Sequence, residues 1–349
     1  MIGPPPGRAI FQENKEADAM SRERVLSLLR ERQGEYLSGE AMSRTLGISR
    51  AGVWKAIEGL RQEGYTIASA PNRGYCLEDA PDRLRVGELF GLLSDARIGS
   101  QLACLDEIDS TNTECKRRAM DGAPEGLVVT AEEQTGGRGR RGRGFQSPRG
   151  KGLYLSALFR PDLEPARVTD FTAWVAVAVC DGIEACCGVR PQIKWTNDIV
   201  MGGKKLVGIL TELGIESETN ALDYLVTGIG VNVNQEREDF LPEIQDMAVS
   251  LSQILGRPVR RAELAAQIIL ALDRMYAAYP EDRAEYLEKY RADCVTTGHQ
   301  VQLITPTARR QAFALEIDSD FNLVVELYNG KRETVSAGEV SVRGMYGYV

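Results

Sequence analysis

The sequence predicts an α+β multidomain protein: an N-terminal winged helix-turn-helix, a central mixed-sheet α/β domain and a C-terminal β-barrel of SH3-like type. Three observations carry this. Short helical patterns broken by a three-residue turn open the chain and lead into a hairpin pattern. Closely spaced strand patterns and long apolar helices fill its middle, which favours a largely antiparallel sheet backed by helices. Short alternating strands separated by turn signals close it. The 349 residues leave room for two or three domains.

Residues 1–20 are rich in proline and polar groups and are expected to form a disordered extension. The winged helix-turn-helix is expected over residues 21–80. Ser21 is placed to cap a first helix, with Val25, Leu26, Leu28 and Leu29 as its apolar face. Ser38 fits the cap of a second helix that ends at Gly47. Ser49 fits the cap of a third, whose apolar spacing is Val53, Ile57 and Leu60. Segments 66–69 and 74–77 read as the two strands of a wing. Residues 41–75 hold Arg44, Arg50, Lys55, Arg61 and Arg73 against Glu58 and Glu63, a basic island in a chain of net charge −8. Such an island suits phosphate contacts, with base contacts made from the N-terminal half of the third helix. The expected DNA-binding residues are Ser49, Arg50, Val53, Lys55 and Arg73. The plainer alternative is a small helical domain that docks on protein. The acidic total excludes a globally cationic nucleic-acid or membrane coat.

Pro81 marks the expected boundary, followed by a central domain over 83–295 and the small barrel over 297–349. Strand patterns fall at 127–131, 152–159, 192–195, 206–212 and 223–232, with a long apolar helix from Thr172 to Cys186. Gly202-Gly203 reads as a hairpin turn. The seven cysteines contain no C-x-x-C pair and the single histidine is His299, which argues against structural zinc and against a Ser/His/Asp triad. The cysteines read as free thiols of a reducing compartment. The N-terminus has no apolar signal region and no apolar run reaches membrane-span length, so a cytoplasmic protein without membrane contact is expected.

Chemistry concentrates in two places. Residues 134–157 carry Arg138, Arg140, Arg141, Arg143, Arg149 and Lys151 and no acid. Glycines separate the arginines, so exposed backbone N–H groups can join guanidinium forks around an anion. The spacing is not that of a P-loop. A flexible RNA-binding tail shares this composition. The position between two strands favours instead a loop that orders round its ligand. The second place is Lys194-Trp195-Thr196-Asn197-Asp198 followed by Lys204-Lys205-Leu206-Val207-Gly208-Ile209-Leu210. A lysine entering an apolar strand can neutralise developing negative charge without transferring a proton. An ordinary turn with surface lysines is the alternative. Asp109-Ser110-Thr111-Asn112 offers short polar side chains that could read a polar ligand head or cap a helix.

Together with Gly228-Ile229-Gly230-Val231-Asn232, these segments resemble the biotin–protein ligase family in its bifunctional branch, the biotin operon repressors. The resemblance covers about residues 20–349 and implies a class II synthetase-like ligase domain. It implies that biotin and ATP, with Mg, give biotinyl-5'-AMP. The biotin is then passed to a lysine of the biotin carboxyl carrier protein of acetyl-CoA carboxylase. By the resemblance, Lys205 and Arg140 are catalytic. Biotin is implied at Ser110, Thr111, Asn112, Gln134, Gly137, Arg138, Gly139, Arg140, Lys205 and Gly208. The nucleotide is implied at Arg140, Arg141, Arg143, Asn197, Asp198, Asn232 and Arg343. No dedicated protein metal site is implied. The adenylate would also act as corepressor, favouring a homodimer that binds operator DNA. Thr196 stands where the family usually has proline, which predicts a looser turn before Asn197. Phe145 stands where tryptophan is frequent. Two other functions fit parts of the pattern: a lipoate–protein ligase, and a DNA-binding biotin sensor without ligase turnover.

Overall fold

The computed structural model describes residues 6–93, 95–216, 218–305, 308–336 and 341–344; the side chains of 6–17, Arg141 and 341–344 lie outside the description. The chain divides into two compact units, Met1–Ser94 and Asp95–Val349.

The first unit contains α1 (Pro6–Glu31), α2 (Gly39–Leu46), α3 (Arg50–Gln62), the hairpin β1 (Thr66–Ala70) and β2 (Gly74–Asp79), and α4 (Val86–Phe90). Val25, Leu26 and Leu29 of α1 meet Met42 of α2 and Val53, Ile57 and Leu60 of α3 in one buried core. The Ser38 and Ser49 hydroxyls accept backbone N–H bonds from Ala41 and Gly52, each at 3.0 Å, and Gly47 ends α2 in the left-handed region. Leu37 and Tyr75 exchange backbone bonds at 2.8 Å, which ties the wing to the approach to α2.

Two expectations need correction here. The first helix does not start at Ser21: α1 reaches back to Pro6, so residues 6–20 belong to a helix and not to a disordered extension. Proline fits a first helical turn, where its missing N–H has no intrahelical partner, and Ala, Gln, Glu and Lys then continue the helix. The expected boundary at 80–82 also moves, to residue 94. Helix α4 packs on α1 through the buried Arg30–Glu88 ion pair and a bond from Gly87 N–H to the Glu23 carboxylate (2.7 Å).

The second unit is built on a seven-stranded sheet. In chain order its elements are β3 (Gln101–Leu105), α5 (Thr111–Met120), β4 (Leu127–Ala131), β5 (Gly152–Phe159), α6 (Phe171–Cys187), β6 (Gln192–Lys194), β7 (Asp198–Met201), β8 (Lys204–Ile215) and β9 (Leu222–Asn232). Helices α7 (Leu251–Leu255), α8 (Arg261–Ala278) and α9 (Arg283–Asp293) follow. The sheet order is β3-β4-β5-β9-β8-β7-β6, and only β3 and β4 run parallel. Gly202 and Gly203 both take positive φ and make the β7–β8 turn, as the glycine pair predicts.

Strand β5 is buried along its whole length because both faces of the sheet are covered. On one face Leu158 packs with Cys115 and Ala119 of α5. On the other, Phe159 makes edge-on contacts with Phe171 of α6 and Tyr276 of α8, with ring centroids 5.0 Å apart in each case. Side chains alternate along a strand, and directly paired residues share a face. Ser156, Gly228 and Gly230 therefore lie on the α5 face, where the pocket forms.

A five-stranded antiparallel sheet completes the unit: β10 (Gln300–Ile304), β11 (Arg309–Ile317), β12 (Leu323–Leu327), β13 (Arg332–Val335) and β14 (Ser341–Gly344), in the order β13-β12-β11-β10-β14. It is joined to the larger sheet and its helices by Trp195 Nε1, which donates to Phe321 O (2.9 Å), and by Arg291, whose guanidinium donates to Ile317 O at 2.6 and 2.8 Å. All seven cysteines are free. Burial pushes the Cys115 thiol up to about 12. Among the described residues no helix is long and apolar enough to cross a membrane.

Candidate functional site

A cleft on the α5 face of the large sheet gathers the side chains that the sequence singled out. Its floor is glycine. A Cβ on Gly228 would come within 2.1 Å of Asn112 Oδ1, and one on Gly230 within 2.6 Å of the Phe145 ring. Only the absence of side chains lets α5 and the loop after β4 approach the sheet this closely.

One wall is a buried polar network. Ser110 is the N-cap residue of α5 but makes no side-chain cap bond, so the plain capping role does not account for its hydroxyl. Gln134 Oε1 accepts from Thr111 N (2.8 Å) and Thr111 Oγ1 (3.1 Å), and Gln134 Nε2 donates to Ser147 Oγ (2.8 Å). Ser156 Oγ lies 2.8 Å from Thr111 Oγ1 and 2.7 Å from Asn112 Oδ1. Asn112 Nδ2 donates to Leu210 O (3.1 Å) and to Glu212 Oε2 (2.9 Å). Burial opposes ionisation of Glu212, but hydrogen bonds from Lys116 and Asn112 outweigh it and hold the carboxyl below its usual range. Each group is fixed by a neighbour, so the wall presents polar atoms in set directions.

The opposite wall is cationic. Residues 138–144 form a small closed hairpin: Arg138 bridges to Gly144, Gly139 N–H donates to Arg143 O (2.7 Å), and Arg140–Gly142 make one 3-10 turn. Arg140 Nη1 donates to Thr196 Oγ1 (3.1 Å) and Asn197 Oδ1 (2.9 Å). Asn197 Nδ2 in turn donates to Ile209 O (2.9 Å). Lys205 Nζ donates to Asp198 Oδ1 at 2.7 Å. Three arginines of the loop, Arg138, Arg140 and Arg143, thus share one cleft with Lys205.

Ser110, Thr111, Asn112, Gln134, Arg138, Gly139, Arg140, Arg143, Asn197, Asp198, Lys205 and Gly208 all line this cleft. Gly137 lies just behind it: a Cβ there would sit 2.3 Å from Phe145 O. Asn232, expected on the nucleotide side, does not line the cleft. It is buried, its Nδ2 donates to Val249 O (3.2 Å) and its Oδ1 accepts from Gln235 (3.3 Å), so it braces the protein behind Lys205. Arg149 pairs with Glu133 and Glu107, and Lys151 with Asp239, so these two cations are committed to acids elsewhere in the chain. The turn at Thr196 is not loose: Arg140 holds its hydroxyl, and Tyr290 donates to its carbonyl (3.3 Å). The side chains of Arg141 and Arg343 lie outside the described residues; the Arg343 backbone pairs with Gln302 in the small sheet.

Sequence reasoning missed Ser156 and Glu212. Both sit inside apolar strand patterns, and a polar residue interrupting such a run was the available signal.

On the first unit, α3 presents Arg50, Trp54 and Lys55 outward. Val53 is 1% exposed and belongs to the core, so the expectation that it reads DNA is wrong; Trp54, 58% exposed, occupies the outward position beside it. One residue along a helix turns the side chain by about 100°. Ser49 caps the helix and Arg50 stands 3.7 Å from Glu40. Arg73 of the wing lies over the Tyr36 ring at 4.1 Å.

A winged helix-turn-helix unit with outward cations, in one chain with a cationic, glycine-floored cleft, defines a two-domain class of protein, and relatives identify which. Residues 104–232 match the biotin/lipoate A/B protein ligase family, and residues 21–76 match a helix-turn-helix (HTH) domain. The chain is 36% identical over 318 residues to the bifunctional ligase/repressor BirA of Bacillus spizizenii, covering 90% of this chain and 97% of the relative. With the Bifunctional ligase/repressor BirA of Escherichia coli it shares 30% identity over 311 residues, 89% of this chain and 94% of that one. Among solved structures, the biotin protein ligase of Aquifex aeolicus in complex with biotin and ATP is similar with a TM-score of 0.61 at 27% identity, covering 70% of this chain and 99% of that one. The chain belongs to the family of bifunctional biotin ligase/repressors.

Proposed function

We propose that this chain activates biotin with ATP, transfers it to a lysine of the biotin carboxyl carrier protein, and uses the adenylate as the signal for repression of biotin genes. The observation that carries the enzymatic part is the joint placement of Arg140 and Lys205 across one cleft from the fixed Thr111–Asn112–Gln134 network.

In the first step a biotin carboxylate oxygen attacks the α-phosphorus of ATP. The bond to the β-phosphate breaks and pyrophosphate leaves. In the second, the carrier's lysine nitrogen attacks the mixed-anhydride carbonyl, an amide forms, and AMP leaves with the bonding pair. Nucleophile and electrophile are both anions in the first step. At about 4 Å two unit charges repel by roughly 4 kcal/mol at an effective dielectric of 20. Lys205 and Arg140 offset that repulsion at the reacting oxygens, while Arg138 and Arg143 hold phosphate and carboxylate oxygens. Ser110, Thr111, Asn112 and Gln134 orient the ureido head, with Gly137, Gly139 and Gly208 leaving it room. Asn197 and Asp198 serve the nucleotide side. No protein nucleophile is required.

Magnesium fits this site as a companion of the nucleotide. The Asp198 carboxylate lines the cleft and is engaged by Lys205, so magnesium would arrive with the phosphates. When bound on the phosphates it would supply further charge neutralisation.

On the DNA side, Arg50 and Lys55 meet phosphates, the wing's Arg73 follows them, and Trp54 lies against base edges. Adenylate binding favours a homodimer, so that paired winged helices meet an operator with two half-sites. The small C-terminal sheet is an SH3-like barrel, and the protein works in the cytoplasm. Incubation with biotin, ATP and carrier protein tests the ligase: mass spectrometry of the carrier should show one biotin on one lysine. Unmodified carrier, with adenylate-dependent DNA retardation intact, would leave a sensor without ligase turnover.

A further inference from the structure

Gln146 lies between the arginine hairpin and β5, and it bonds to a distant segment through both ends of its carboxamide. Its Nε2 donates to Asp239 O at 2.8 Å, and its Oε1 accepts from Leu241 N–H at 3.1 Å. That segment continues to residues 247–249, which pair with the backbone of Lys205. Lys205 N–H donates to Met247 O (2.7 Å), and Val249 N–H donates to Lys205 O (2.9 Å). A continuous path therefore runs from the arginine hairpin through Gln146 to Lys205 on the same cationic wall. Phe145, next to Gln146, rests its ring over the glycine floor at Gly230.

We infer that Gln146 is a positioning residue that holds the arginine hairpin and the Lys205 strand in register, so that cations from both segments close on one polyphosphate. The inference rests on the reading of this cleft as an adenylation centre. A bidentate carboxamide fixes two segments along two directions at once, which a single bond or an apolar contact does not. The misplacement it prevents falls on the nucleotide, because Thr111 and Asn112 of the polar wall are tied separately to Ser156 and Glu212.

The test uses the full chain with Gln146→Met, which keeps length and loses both bonds, and Gln146→Glu, which keeps the acceptor and loses the donor. In biotin-dependent ATP–pyrophosphate exchange, Gln146→Met should raise KM for ATP about tenfold and leave KM for biotin within about twofold. Gln146→Glu should fall between it and the unaltered chain. Hydrogen exchange without substrates should be faster over residues 239–249 in Gln146→Met and unchanged at 111–112. An unchanged KM for ATP, or an equal rise for both substrates, overturns the inference. Absence of exchange in the unaltered chain would instead remove the adenylation reading, and the inference with it.

Discussion

The polar wall of the pocket and the outward face of α3 are built on opposite rules. In the wall, Thr111, Asn112, Gln134, Ser156 and Glu212 bond to one another and to backbone, mostly out of water. On α3, Arg50, Trp54 and Lys55 face solvent, and the ion pairs they make are exposed. A small polar ligand needs directions fixed before it arrives, because a misdirected buried group costs about 1–3 kcal/mol. A DNA backbone brings its own charge and tolerates mobile partners. Changes in the wall should therefore disturb both stability and ligand binding, whereas changes on α3 should disturb DNA binding alone.

The largest expected effect lies across the cleft from the wall. Lys205→Ala should lower biotin-dependent exchange by about three orders of magnitude, with thermal stability little changed, because Lys205 is partly exposed and its proposed work is on the reacting charges. Arg140→Gly should release biotinyl-adenylate about tenfold faster or more, read as free adenylate after a single turnover; tight retention would show that the hairpin does not hold the intermediate. Glu212→Ala sharpens the comparison most. It frees Asn112 and Lys116 together, so it should cost about 1.5–3 kcal/mol of stability and raise KM for biotin at least tenfold. A loss confined to either quantity would separate wall from pocket.

On the other side of the comparison, Trp54→Ala should weaken operator binding about tenfold and leave exchange and stability near normal. Arg50→Ala should weaken it by less and reduce the salt slope by about one. Trp174 and Trp195 are buried, so a fluorescence change on adding operator should vanish in Trp54→Ala. The smallest effect concerns pH. Glu212 is held below its ordinary value of about 4.5, so its contribution is complete above that value and is lost as pH falls through the lowered one. Biotin affinity should then show no titration from this carboxylate between about pH 5.5 and 8.5, and a step in that window absent from Glu212→Gln would contradict the pairing.

The legibility of these regions in the sequence follows from the same contrast. Arginines spaced by glycines, and a lysine at the head of an apolar strand, are chemically conspicuous, and the structure brings them to one cleft. The helix-turn-helix was legible from its caps and glycine stops, because those signals are local. Ser156 and Glu212 were not, since their meaning comes from partners 44 and 100 residues away. The boundary at residue 94 was hidden for the same reason: Arg30 and Glu88 are 58 residues apart. Val53 was misread although its place in the apolar stripe was visible, because a helix position cannot serve the core and the groove together. At the N-terminus the prolines outweighed a helix-favouring composition in the reading of residues 6–20.

The work proposed for the cleft is to join a biotin carboxylate to the α-phosphate of ATP. Pyrophosphate exchange into ATP on the purified chain, with biotin or lipoate as the acid, tests it most directly. Exchange should depend on biotin, fail with lipoate and be lost in Lys205→Ala. Exchange with lipoate alone, or undiminished exchange in Lys205→Ala, would contradict it.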